Sequence, residues 1–177
     1  ILEATIEDVV LEFLEVDPAS LTHPSIASIR IPLAEFEQLD RGDRLRFLLV
    51  EYTRSSKADL KLGVNRFETL LELVRLSGPV EEGLRRDFFE HHQVRNAIVH
   101  RAGLADRRLL TQCPWLSLTV GAPIVISHER YLHCRTAVAR YLVELVIRMF
   151  VREGLTRTEA EARVRSQPIH DASTRYH

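Results

Sequence analysis

The sequence predicts a mainly α-helical protein, an antiparallel helical bundle with a small β-hairpin inserted before a late long helix. Three observations carry this expectation. Apolar residues recur at three- and four-residue spacing over most of the chain. Capping residues precede these stretches, and glycine or proline follows them. One short run, "WLSLTVGAPIVIS" at 115–127, is rich in β-formers and turns on Gly121–Ala122.

Leu2, Ile6, Val9, Phe13 and Val16 give residues 1–16 the stripe of an amphipathic helix, and Pro18 ends it. Because the chain opens on Ile1 inside this pattern, further sequence, such as an upstream domain, is expected before it. After a looser stretch, Pro32 opens a short helix through Leu39. Asp43 is the expected cap of the next, whose buried face is Leu45, Leu48, Leu49 and Tyr52. Leu60, Val64, Phe67, Leu71 and Val74 predict one helix over 57–77, stopped by "SGP". The following helix is expected from Val80 to about Ala102 with Gly103 as its C-terminal cap, packed antiparallel to its predecessor. Ser127 caps the late long helix, with an apolar stripe of Leu132, Ala139, Leu142, Val143, Val146 and Phe150. "TRTE" makes a capping box for a last helix over 157–166, ended by Pro168 and followed by a mobile tail. A helical domain over 1–152 and a C-terminal helix with its tail over 153–177 are the expected divisions.

A chain of 177 residues can bury a sizeable core. Its net charge of −1 argues against bulk electrostatic capture of long nucleic acid, but leaves room for a local basic cleft. Lysine occurs only at Lys57 and Lys61; every other basic residue apart from histidine is an arginine, which grips phosphate through a planar fork. No apolar run approaches the roughly 20 residues of a membrane helix, so no membrane partner is expected. Two cysteines do not make a disulfide scaffold, which fits a reducing, cytoplasmic setting. Cys113, His128, His133 and Cys134 lack the spacing of zinc ligands, and no metal or cofactor is expected.

The stretch "RNAIVH" at 95–100 sets Arg95, Asn96 and His100 into an otherwise apolar helix. On a wheel of about 100° per residue, Val80, Leu84, Val94, Ile98 and Ala102 form the core side. Phe89, His92, Gln93, Asn96 and His100 form the outward side, with Ala97 as neutral filler. That outward face carries amides, imidazoles and an aromatic ring but none of the salt-bridging charges of a plain solvated face, so it suits a ligand or a second subunit. Arg95 lies about 140° around from His100, near His91, so one helix cannot easily aim both at one atom. A salt bridge from Glu3, Glu68 or Glu72 is the expected partner of Arg95. Phe89 is expected at a subunit interface or stacked on a base.

"RNAIVH" is similar to the R-x(4–6)-H signature of the HEPN superfamily, where a polar residue often follows the arginine. Its flanks, "RAGLADRRLL", the β-like "LSLTVGAPIVIS" and a further long helix, resemble bacterial RiboL-PSP/MAE-type HEPN proteins. "LEATIEDVV" at 2–10 resembles the first helix of that family, with Glu3 at its acidic position. The resemblance covers most of 1–152. It implies a HEPN-like bundle and a metal-independent endoribonuclease acting on single-stranded RNA, often as a homodimer with a composite cleft. A bacterial defence or toxin context, with an antitoxin as partner, belongs to the same expectation, and so does a non-cutting module that binds RNA, nucleotide or protein. Under it Arg95, Asn96 and His100 are the catalytic candidates; His92 and Arg101 are candidate substrate contacts, and Arg107 and Arg108 could track phosphates.

Overall fold

The computed structural model describes residues 2–166; the expected end of the last helix at Pro168 and the expected mobile tail lie outside them. Among the described residues there are nine α-helices and no β-strand. The chain divides into two compact units, Ile1–Val138 and Ala139–His177, with the boundary inside one long helix. No described helix is long and apolar enough to cross a membrane.

The first unit opens with α1, Leu2–Val16. Its buried residues are Ile6, Val10 and Leu14, whereas Val16 is exposed, so the buried stripe lies a fraction of a turn from the expected one. Pro18 does end the helix, by starting a 3-10 turn that Asp17 caps. Two short helices follow, α2 (Pro24–Ala27) and α3 (Leu33–Glu37). The next helix, α4, runs Arg41–Ser55, and its cap is Asp40 rather than Asp43: the Asp40 carboxylate accepts the Asp43 amide at 2.8 Å. Leu45, Leu48, Leu49 and Tyr52 are all buried, as the periodicity predicts. The Tyr52 hydroxyl donates to the Thr69 carbonyl at 2.9 Å, and burial pushes its pKa up to about 12.

The expected helix over 57–77 is broken. Lys57 takes a left-handed conformation, Ala58–Leu60 form a 3-10 turn, and α5 spans only Val64–Glu72. The break has a steric cause at Gly63, whose φ of 58° and ψ of −140° favour glycine. A Cβ there would stand 3.0 Å from the Phe89 backbone nitrogen. The chain bends so that this junction can lie directly on the next helix. Leu60, expected in the stripe, is exposed as a result.

That next helix, α6, spans Glu82–His100, with ends within two residues of those expected. It packs against α5, where Phe67 and Phe88 meet edge to face with centroids 6.1 Å apart. A sixth-turn reversal then decides the site. Arg101 caps α6, and Ala102 and Gly103 both take left-handed φ, 53° and 76°. The chain doubles back into α7, Arg107–Gln112, whose N-terminus Asp106 caps through the Leu109 amide at 2.8 Å.

No β-hairpin forms at 115–127. Pro114–Leu116 make a 3-10 turn, and Pro123 lacks the amide hydrogen that a second strand would need. The backbone of 121–124 instead bonds to 103–105: Gly121 to the Ala105 carbonyl at 2.8 Å, Ala105 to the Ala122 carbonyl at 2.9 Å, and Ile124 to the Gly103 carbonyl at 2.7 Å. The result is a single antiparallel bridge, Leu104 with Pro123, which pins the reversal after α6.

The long helix α8 covers His128–Arg152 and starts where expected, with the Ser127 hydroxyl accepting the Arg130 amide at 3.2 Å. Within the first unit its first turns are tied to α6 by His133–Asp87 at 2.9 Å and Arg130–Glu90 at 3.6 Å. Its buried residues include Ala137, Tyr141 and Leu145, whereas Leu132, Val143 and Val146 of the expected stripe are largely exposed. The helix is apolar on two faces, and periodicity picked the other one. In the second unit, α9 (Arg157–Ser166) follows the expected bounds. Its capping box is reciprocal: Glu159 accepts the Thr156 amide at 2.8 Å, and the Thr156 hydroxyl accepts the Glu159 amide at 3.3 Å. Arg157 bridges to Glu144 at 2.7 Å.

Candidate functional site: a cleft at the end of α6

The reversal after α6 lays α7 against a side of the helix that its wheel assigns to solvent. Val94, Ala97, Ala105, Leu109 and Cys113 form a buried cluster, with Phe89, Leu116 and Ile124 packed on it. The buried face therefore rotates along α6, from Leu84 and Phe88 in its first half to Gln93, Val94 and Ala97 in its second. Two expectations are corrected by this. Ala97 is core at 4% exposure rather than filler, and Ile98 is 40% exposed rather than core. Phe89 is packed into the α6–α7 contact, where the Gly63 junction also presses on it.

Between α6 and α7 lies a cleft of about 280 Å³, lined by Gln93, Asn96, His100, Arg101, Asp106 and Arg108 among others. Asn96 and His100 are the two residues of the motif's catalytic candidates that reach it. His100 is exposed and Asn96 half-buried, one turn apart on the same edge. Arg95 does not line the cleft. It is exposed and turns sideways, with Nη1 donating to the Asn96 Oδ1 at 3.3 Å. Among the described residues Arg95 makes no ion pair with Glu3, Glu68 or Glu72; Glu3 bridges to Arg66 at 2.6 Å, and Glu68 accepts the Gly78 amide at 2.8 Å. So the structure joins Arg95 to the cleft through Asn96 and not by direct access.

Arg101 lines the cleft, with its Nε 3.3 Å from Asp106 Oδ2. Asp106 has both carboxylate oxygens engaged, one on the α7 cap and one on Arg101. Arg108, expected to track phosphates, stands on α7 at the cleft wall. His92 lies outside the cleft lining. Burial lowers its pKa first, and the charges of Arg95, Arg66 and Arg108 lower it further, against a raising influence from Glu3. His91 is likewise held low by burial first, and its ring meets that of His133 at 6.3 Å. Arg107 is exposed on α7 and does not line the cleft.

Two features of the cleft escaped sequence reasoning. One is α7 itself, signalled only by an Asp before "RRLL", a capping pattern too common to stand out. The other is Gln93. It is 4% exposed at the cleft, and its Nε2 finds no hydrogen-bond partner among the described residues. A buried donor left unpaired costs about 1–3 kcal/mol. No sequence pattern separates such a glutamine from a solvated one.

Comparison with protein-family models, with curated proteins and with solved structures finds no match to this chain.

Proposed function

We propose that the chain is a HEPN-like endoribonuclease that cleaves single-stranded RNA through the 2′-hydroxyl of its substrate. The observation that supports this reading is the cleft at the end of α6, where His100 and Asn96 stand beside Arg101 and Arg108, with Arg95 hydrogen-bonded to Asn96. RNA carries its own nucleophile, so the protein must supply a proton acceptor, a proton donor and positive charge on the phosphorane. An imidazole is the side chain best suited to act as acid or base near neutral pH. His100 takes the proton from the 2′-hydroxyl or gives one to the leaving 5′-oxygen. The guanidinium groups of Arg101 and Arg108 brace the non-bridging oxygens, while Asn96 holds Arg95 beside the cleft. The products are a 2′,3′-cyclic phosphate and a 5′-hydroxyl end.

Because Arg95 does not line the cleft, a homodimer with a composite site is the arrangement that lets the partner's copy of the motif complete it. A bacterial defence or toxin role, held in check by an antitoxin or an upstream domain, fits that activity. A second reading has one observation in its favour: in a single copy Arg95 and His100 do not share the cavity. That separation favours a HEPN-like module that binds RNA, nucleotide or a protein partner without cutting.

The test is incubation of purified protein with single-stranded RNA in chelator, alongside His100→Ala and Arg95→Ala. The wild type is expected to cut, and each variant to lose at least about a hundred-fold, the usual range for a missing acid–base group. A 2′-deoxy nucleotide at the cut position should block the reaction. Cleavage that survives both substitutions sinks the proposal, and RNA binding without cleavage favours the second reading.

A further inference from the structure

The polarity of the cleft is graded from inside to outside. Its most deeply buried polar side chain is the neutral amide of Gln93, 4% exposed and with Nε2 unpartnered among the described residues. Its exposed members are His100, Arg101 and Arg108. The single carboxylate, Asp106, is consumed by the α7 cap and by Arg101. A ligand that fits this order is planar and hydrogen-bonding at its inner end and anionic at its outer end.

An amide offers a donor and an acceptor side by side. That pair matches the edge of a nucleobase in two bonds, as glutamine does with adenine. A phosphate presents acceptors only and is better held by the guanidinium groups outside. The cavity, about 280 Å³, sits at the small end of ligand pockets, which suits one nucleobase and not a stacked run. A leucine or methionine at 93 would fill the same space without an orphaned donor.

We propose that Gln93 is the specificity-determining residue of this cleft, pairing with the edge of one nucleobase while Arg108 and His100 face the adjoining phosphate. The inference rests on the RNA-binding half of the reading above and not on cleavage.

The experiment is calorimetric titration of the full chain with the four nucleoside 3′-monophosphates, with four trinucleotides differing in the middle base, and with ribose 5-phosphate. Wild type, Gln93→Leu and Gln93→Glu are compared. Wild type is expected to prefer one base by about ten-fold or more, the discrimination a two-bond contact gives. Gln93→Leu should lose that preference and keep its affinity for ribose 5-phosphate. Gln93→Glu, which trades the donor for an acceptor, should move preference toward a base offering a donor, such as the cytosine amino group. Without ligand, Gln93→Leu should melt no lower than wild type, because the lost donor had no partner. Preference among the monophosphates marks a free nucleotide as ligand; preference confined to the trinucleotides marks an RNA strand.

Equal or absent binding of every probe overturns the inference, as does a preference that survives Gln93→Leu. A Gln93→Leu protein that melts well below wild type, or fails to fold, overturns it too, since the amide would then be structural. The two readings fail separately. Base preference that depends on Gln93 in a protein that cuts no RNA retires the nuclease and keeps this site. Cleavage that depends on His100 but ignores base identity does the reverse.

Discussion

Gly63→Ala should be among the most damaging single-methyl changes in the protein. The backbone at Gly63 has φ 58° and ψ −140°, a region that side chains rarely enter, and holding alanine there costs about 1–3 kcal/mol. The added Cβ would also lie 3.0 Å from the Phe89 nitrogen and 3.2 Å from the Phe88 carbonyl carbon, both backbone atoms of α6 that no rotamer change can move. Overpacking of this kind adds about 1–3 kcal/mol. The sum, about 4 kcal/mol, is a large part of the roughly 5–15 kcal/mol that holds a domain together. At about 2–4 °C per kcal/mol for a chain of this length, the melting temperature should fall by about 10 °C. Gly83→Ala is the matched control. It lies in the first turn of α6, where a Cβ meets only the flexible Glu81 carboxylate at 3.4 Å, and it should stabilise by about 0.4–1 kcal/mol. Urea unfolding of both variants measures the difference. A cost for Gly63→Ala below about 1 kcal/mol, or equal to that of Gly83→Ala, refutes the claim that close approach to α6 fixes a glycine here.

Other outcomes follow from the same geometry. Asp106→Ala removes the α7 cap and the partner of Arg101, and should cost about 1–2 kcal/mol in urea unfolding, with Asp106→Asn recovering most of the cap. For pH, the sign is set by burial: His92 and His91 both have folded pKa values below the usual 6.5. Between the folded and unfolded values the unfolded chain binds more protons, so stability is full above pH 6.5 and declines as pH falls below it. Unfolding measured from pH 7.5 to 5 should show this slope, and His92→Gln should flatten part of it; an unchanged slope would mean that His92 is not desolvated in solution.

Much of the helical layout was legible in the sequence because local signals and tertiary packing agree there. The bounds of α1 and α9, the buried face of α4 and the Ser127 start of α8 all follow from spacing and caps. The sequence failed where a distant backbone intervened. The 57–77 stripe is strictly periodic, yet the chain breaks at Gly63 to lie on α6. Residues 115–127 hold β-formers, yet their backbone bonds go to 103–105. At the site, spacing located Asn96 and His100 on one edge, and the separation of Arg95 from that edge persists in the structure. Gln93 and Arg108 were beyond its reach as cleft partners, because their meeting depends on the reversal over residues 101–106.

The sequence by itself determined that this chain is helical, where most helices start and stop, and which edge of α6 carries the polar motif. Those properties are set by i to i+4 neighbours, which any segment carries with it. Tertiary structure alone decided which side of α6 is covered. A wheel assigns one buried face per helix, but the left-handed pair Ala102–Gly103 folds α7 back over the Gln93–Ala97 side and exposes Ile98. Burial is a property of what arrives from elsewhere in the chain, and that arrival turns a polar strip into a cleft.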